Sequence, residues 1–180
     1  MLIKSFFSGF GGQGVLSIGL ILAHAAMREG KYVTYLPVYG AEVRGGTAHC
    51  TIAVADEEIA SPVASEPDYL VAMNQPSVKK FQNQLCSGGT MFLNTTLVLE
   101  MPSRGDVELV EVPATALAEE LKNIGSTNLV MLGAFIKTTG LVNLKTVENS
   151  LEAFFASKKK LIPGGLAALK RGYDYLQEKG

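Results

Sequence analysis

Gly9-Phe10-Gly11-Gly12-Gln13-Gly14 stands between a short apolar run, Leu2 to Phe7, and a segment from Val15 onward whose apolar residues recur at helical spacing. Read as strand, loop and helix, it matches G-x-G-x-x-G in the setting that gives the pattern meaning. Such a loop exits the strand sharply, lets another group approach the backbone, and aims N–H groups of the helix start at an anion. The next strand, Tyr32 to Leu36, ends in Pro37 and lacks the acidic residue that a dinucleotide site carries about 20 residues past its glycines. Glu29 precedes the strand and Glu42 lies in a later loop. The loop therefore reads either as a phosphate cradle or as a tight strand-to-helix joint.

At 180 residues the chain fits one domain, 1–180, large enough to bury roughly 70% of its unfolded surface. Lys and Arg number 16 against 17 Asp and Glu, a formal charge of −1. The densest basic run, Lys158-Lys159-Lys160, has no interleaved aromatics, which argues against nucleic acid and for a solvated helix end. Two cysteines, Cys50 and Cys86, without C-x-x-C spacing, are too few for an iron–sulfur cluster on this chain alone, since clusters take about four thiolates. They read as reduced thiols of a cytoplasmic protein. Val15 to Ala23 followed by Ala23-His24-Ala25 imitates a secretory signal, but cleavage there would remove the first strand and the glycine loop. No apolar run reaches the roughly 18 residues of a membrane helix.

Along the chain, Val15, Ile18, Leu22, Ala25 and Ala26 mark one face of a helix ending near Gly30. Tyr32 to Leu36 is expected beside the first strand, completing a βαβ unit. The loop Pro37 to Thr47 holds Arg44 next to Gly45 and Gly46, a planar fork suited to carboxylate or phosphate, or equally to local carbonyls and Glu42. Thr47 to Val54 alternates as a strand, with Asp56-Glu57-Glu58 expected to turn into a short return strand at Ile59-Ala60. Further strands are expected at 68–73, 90–94 and 107–112. Helices are expected after Asn74-Gln75-Pro76 to about Leu85, from Pro113, over 128–138 and 143–156, and from Leu166 after a break at Pro163-Gly164-Gly165. The fold class is α/β: a Rossmann-like open, mainly parallel twisted sheet with helices on both faces and a β-hairpin insertion.

Catalytic groups are sparse. His49 and Cys50 are adjacent, yet neighbours on a strand point to opposite faces and make a poor dyad. Asn74 and Asn94 end strands on the edge that carries the glycine loop, where they either line a cleft or cap helices. There is no G-x-S-x-G elbow, and Val15 stands where a Walker loop has Lys. The residues by themselves describe an α/β domain that holds an anionic ligand or docks to partners.

Gly-Phe-Gly-Gly-Gln-Gly-Val at 9–15, Tyr-Gly-Ala-Glu-Val-Arg-Gly-Gly at 39–46, and the spacing to Pro67-Asp68 and Met73-Asn74-Gln75-Pro76 together resemble the gamma subunit of 2-oxoacid:ferredoxin (acceptor) oxidoreductases. The likeness runs over essentially the whole chain, and residues 36–50 look most like the 2-oxoglutarate subclass; pyruvate and branched-chain versions share much of the pattern. Ala41 stands where many relatives carry proline. The resemblance implies a complex that decarboxylates a 2-oxoacid on thiamine diphosphate, passes electrons through iron–sulfur clusters and releases acyl-CoA. Those groups would sit in other or shared subunits of alpha, beta and delta type, and the isolated chain is expected to be non-catalytic and open to homodimerisation. Within it, Gly9, Gly11, Gly12, Gln13, Gly14, Arg44, Gly45 and Gly46 are the residues expected to face coenzyme A or the partner subunits. A free-standing dinucleotide-binding oxidoreductase is the rival reading.

Overall fold

In the computed structural model, which describes residues 1–39, 46–60 and 65–179, strand β1 (Leu2–Phe10) runs through the interior of a six-stranded sheet. It leads into helix α1 (Val15–Arg28) and strand β2 (Tyr32–Val38), after which β3 (Thr47–Ala55) doubles back. Strands β4 (Tyr69–Ala72), β5 (Thr90–Asn94) and β6 (Glu108–Val112) follow, in the spatial order β2-β3-β1-β4-β5-β6. Pairings β1/β4, β4/β5 and β5/β6 are parallel, while β3 is antiparallel to both its neighbours. The sheet is thus mostly parallel with an antiparallel hairpin, as the sequence predicts, but the hairpin is placed differently.

Two expectations change together. β2 is an outer strand, and β3 lies between it and β1. Burial explains the order: β3 is buried on both faces from Cys50 to Ala55, whereas no residue of β2 is fully buried. A strand with small and apolar residues on both faces belongs inside. Because β3 is already paired on both edges, Ile59-Ala60 finds no edge to join and forms no strand.

Helix α2 (Gln75–Phe81) covers one face of the sheet, packing Val78 and Phe81 with Phe6, Leu70, Met91 and Leu93. The opposite face is covered by α1, α3 (Ala114–Glu120), α4 (Thr127–Thr139), α5 (Leu144–Phe154) and α6 (Ile162–Lys179) around Phe7, Val71, Phe92 and Phe135. Asn74 caps α2, its Oδ1 accepting from Ser77 N at 2.9 Å, and Pro76 sits in the first turn. The helix is shorter than expected, giving way to a 3₁₀ turn over Gln82–Gln84. Glu119 and Glu120 are exposed, as a solvent face requires.

Helix α6 starts earlier than its sequence suggests, at Ile162. Pro163 sits in a first turn that needs no N–H from it, and Gly164 and Gly165 are there for packing. A Cβ on Gly164 would lie 2.7 Å from the Asn123 carboxamide, and one on Gly165 3.2 Å from Leu129. The same close approach recurs where α4 meets α6: a Cβ on Gly133 would lie 1.9 Å from the Leu169 carbonyl oxygen, and one on Gly172 1.8 Å from that of Val130. No described helix is long and apolar enough to cross a membrane.

Gly133→Ala must push two helix backbones apart. Overpacking of this kind costs about 3 kcal/mol, and the Tm of the chain is expected to fall by roughly 6–12 °C; thermal unfolding followed by circular dichroism checks it.

Candidate functional site

The glycine loop lies at the carboxyl end of β1, and its own side chains close it. Gln13 Oε1 accepts from Phe10 N at 2.6 Å and from Asn74 Nδ2 at 2.8 Å, tying the end of β1 to the start of α2. Gly9 makes room, since a Cβ there would lie 2.7 Å from that oxygen. Gly11 N donates to Gly46 O at 3.1 Å, which joins the loop to the start of β3. Gly14, at φ 72°, caps α1 in the left-handed region. Its carbonyl accepts from Asn128 Nδ2 at 3.1 Å, and that carboxamide occupies the space a Cβ on Gly14 would need.

The sequence-predicted site residues therefore separate into groups. Gly9, Gln13 and Gly14 hold the joint, Gly11 and Gly46 meet each other, and Gly11 and Gly12 are exposed at its crest. Arg44 and Gly45 lie outside the described residues. Asn128, 114 positions from Gly14, is invisible in the local pattern; an Asn in the first turn of α4 is the only sequence trace of it.

Two grooves flank Gly12. One, of about 390 Å³, runs between Phe10, Val15, Ser17, Tyr39 and Ala48; the other, of about 300 Å³, between Gln13, Leu97, Thr115, Ile124 and Thr127. The first lies over the start of α1, which has no side-chain cap and no acidic residue in its first turn, so the local field favours an anion. Its volume suits a phosphate or a short chain segment. Around the grooves stand exposed apolar side chains, Tyr39 at 74%, Ile124 at 59% and Leu97 at 40% exposure. Larger hollows lie elsewhere, about 520 Å³ beside β6 and about 630 Å³ beside Lys158–Lys160.

The strand-end asparagines are structural ties. Asn94 Nδ2 donates to Met73 O at 3.1 Å and Thr115 Oγ1 at 3.0 Å, while its Oδ1 accepts from Thr115 N at 3.3 Å. Beneath α2, Ser8 Oγ donates to Ser77 Oγ at 2.9 Å. His49 and Cys50 point to opposite faces. Cys50 is buried against α1, where desolvation pushes its thiol up to about 12. His49 stacks on Phe6, ring centres 4.9 Å apart, and tilts against Phe81 at 5.1 Å. Its buried Nδ1 has no hydrogen-bond partner. Desolvation first, and then the Lys80 charge, hold this imidazole below its ordinary value of 6.5. Among the described residues no three His, Cys, Asp or Glu side chains converge on a common point.

Residues 4–175 match the family described as pyruvate ferredoxin/flavodoxin oxidoreductase. The ketoisovalerate oxidoreductase subunit VorA of Methanothermobacter thermautotrophicus is 38% identical over 173 residues, 95% of this chain and 36% of that protein. The 2-oxoglutarate synthase subunit KorC of Methanothermobacter marburgensis is 36% identical over 184 residues and is matched along 95% of both chains. The crystal structure of a keto/oxoacid ferredoxin oxidoreductase gamma subunit from Geobacter sulfurreducens superposes with a TM-score of 0.83 at 25% identity, covering 96% of each chain. The chain thus spans about a third of the length of the VorA relatives and nearly all of KorC.

Protonating His49 in the folded chain is harder than in the unfolded one, so stability is full above pH 6.5 and declines as pH falls below that value. Asp106, held well below the usual carboxylate range by the Arg104 guanidinium beside it, acts in a separate window below pH 3.8. Urea titrations across pH are expected to show the upper decline in the native chain and to lose it in His49→Leu.

Proposed function

Because the chain belongs to the pyruvate ferredoxin/flavodoxin oxidoreductase family, we propose that it serves as the gamma component of a multi-subunit 2-oxoacid:ferredoxin (acceptor) oxidoreductase, with residues 1–180 acting as one gamma-type domain. Such a complex oxidatively decarboxylates a 2-oxoacid to an acyl-CoA. Thiamine diphosphate and the iron–sulfur clusters belong to its alpha-, beta- and delta-type partners. The two cysteines of this chain lie apart, Cys50 in the core on the α1 side and Cys86 in the turn before β5. The working compartment is the cytoplasm, where such thiols stay reduced.

The observation that carries this reading is the braced carboxyl edge. Gln13, Asn74 and Asn128 lock the glycine loop from within, and the rim around it is apolar and exposed. Exposed apolar rims of this kind mark interaction surfaces. The chain therefore contributes by shape: the rim docks on partner subunits, and the crest Gly11-Gly12, with Gly46 and the 39–46 loop bearing Arg44 and Gly45, faces the coenzyme A region. The groove over α1 fits a phosphate or pantetheine segment of that ligand, with Gly12 and the first turn of α1 offering N–H groups to it.

The 2-oxoacid assigned is 2-oxoglutarate, on the pattern of residues 36–50 and the end-to-end match to a 2-oxoglutarate synthase subunit. A second reading, a pyruvate or branched-chain version of the same complex, is favoured by the identity to a ketoisovalerate oxidoreductase subunit.

Tagged chain recovered from its host is expected to bring down thiamine- and cluster-bearing subunits, and the eluate to reduce dye in the presence of coenzyme A and one 2-oxoacid. Recovery of the chain alone, with measurable NADH binding, would transfer the assignment to a free-standing dinucleotide-binding protein. In the assembled complex Arg44→Ala is expected to lower coenzyme A-dependent activity roughly tenfold to a hundredfold, the worth of one charge-assisted hydrogen bond of about 1.5–3 kcal/mol. The isolated variant keeps its circular dichroism spectrum.

A further inference from the structure

Strand β2 is an outer strand, and none of its residues, Tyr32-Val33-Thr34-Tyr35-Leu36-Pro37-Val38, carries a charge. The opposite outer strand, β6, holds Glu108 and Glu111. Strand edges without charge pair readily with another strand.

The hydrogen-bond ladder tells which groups of β2 face outward. Asp56 N donates to Met1 O toward β3, while Asp68 N and Met73 N donate to Lys4 O and Ser8 O on the β4 side. Odd residues of β1 therefore bond to β3 and even residues to β4, because bonding alternates along a strand. With Leu2 opposite Ala55, and Ala55 opposite Tyr32, the even residues of β3 bond to β1, its odd residues to β2, and the even residues of β2 bond inward. What faces outward is the N–H and C=O of Val33 and Tyr35 and the C=O alone of Pro37. Just before the strand, Lys31 N already donates to Ala26 O.

We infer that β2 pairs antiparallel with β2 of a second copy of this chain, about a two-fold axis at Thr34. In that register Val33 of each copy faces Tyr35 of the other, and each pair exchanges both of its hydrogen bonds. Pro37, which has no N–H to give, comes opposite Lys31, whose N–H is already used. Moving the axis to Tyr35 sets Pro37 against Val33 and leaves the Val33 carbonyl without a donor. Moving it to Val33 demands the N–H that Lys31 has committed. The side chains select the same register: Tyr32 and Leu36, 52% and 40% exposed, become direct neighbours across the axis, at positions where cross-strand side chains come closest. Thr34 meets its own copy across the axis, and facing threonines pair well across strands.

A second copy is the occupant because the outward donors and acceptors complement one another under a two-fold, and one register satisfies those of Val33 and Tyr35 together. Two edges of this length make an interface at the small end of the size range, so the dimer assembles at micromolar to millimolar concentration.

Sedimentation of the full 19.2 kDa chain over that range is expected to show a concentration-dependent dimer, and Leu36→Lys to abolish it with an unchanged circular dichroism spectrum. In a Cys86→Ser background Thr34→Cys is expected to form an intermolecular disulfide under mild oxidation, since directly opposed residues of such a pair lie within disulfide reach. Val38→Cys, which faces Gly30 in this register, does not. A native chain that stays monomeric, including one that instead takes up an extended segment of a partner subunit, overturns the pairing. So does a dimer that survives Leu36→Lys, or one that cross-links through Val38→Cys in place of Thr34→Cys. None of these results bears on the complex assignment, which rests on co-purification and activity.

Discussion

Backbone at Gly9 and Gly14 unencumbered by side chains is the condition on which the rest of this architecture depends. Through the space at Gly9 the Gln13 carboxamide reaches the end of β1 and the cap of α2; through the space at Gly14 the Asn128 carboxamide reaches the start of α1. Three helices on two faces of the sheet are thereby referred to one six-residue turn. A methyl group at Gly14 would displace Asn128 and also strain a left-handed backbone. The motif that resembles a nucleotide cradle works here first as a mechanical joint.

Much of the fold was legible because local chemistry and global position agree. The apolar stripe of α1, the Asn-Gln-Pro start of α2 and the strands β4 and β5 follow from periodicity and capping, which act over a few residues. Strand order was less legible. β2 and β3 have similar strand propensity, and which of them lies inside depends on burial on both faces, visible only in hindsight in the small residues Ala48, Ala53 and Ala55. The start of α6 was hidden for a related reason: Pro163-Gly164-Gly165 reads as a stop in one dimension, whereas in three the glycines are spaces for Asn123, Leu129 and Leu151.

The candidate site was half legible. The glycine loop and its edge of the sheet were found from spacing alone, and so was the separation of His49 from Cys50. The division of labour inside the loop was not, because Gln13 and Asn128 act across contacts of 61 and 114 positions. No periodic signal encodes a contact of that span. The result is an exposed crest on a braced base, and a surface preorganised in this way loses less entropy when anything binds it.

Among the described residues the sheet is shielded unequally, by five α-helices on one face and on the other by one, α2, with Leu85, Val98 and Val107 from the connections beside it. Regions with few buried apolar contacts open first, below the free energy of global unfolding. Release of α2 would carry Asn74 away from Gln13 and loosen the turn at the end of β1 on that side, while the Asn128 and Gly46 ties to the thick side and β3 stay in place. The thin side thus makes one of the glycine loop's ties conditional: the Gln13–Asn74 bond is only as persistent as a single seven-residue helix, and whatever steadies α2 also steadies a loop it never touches.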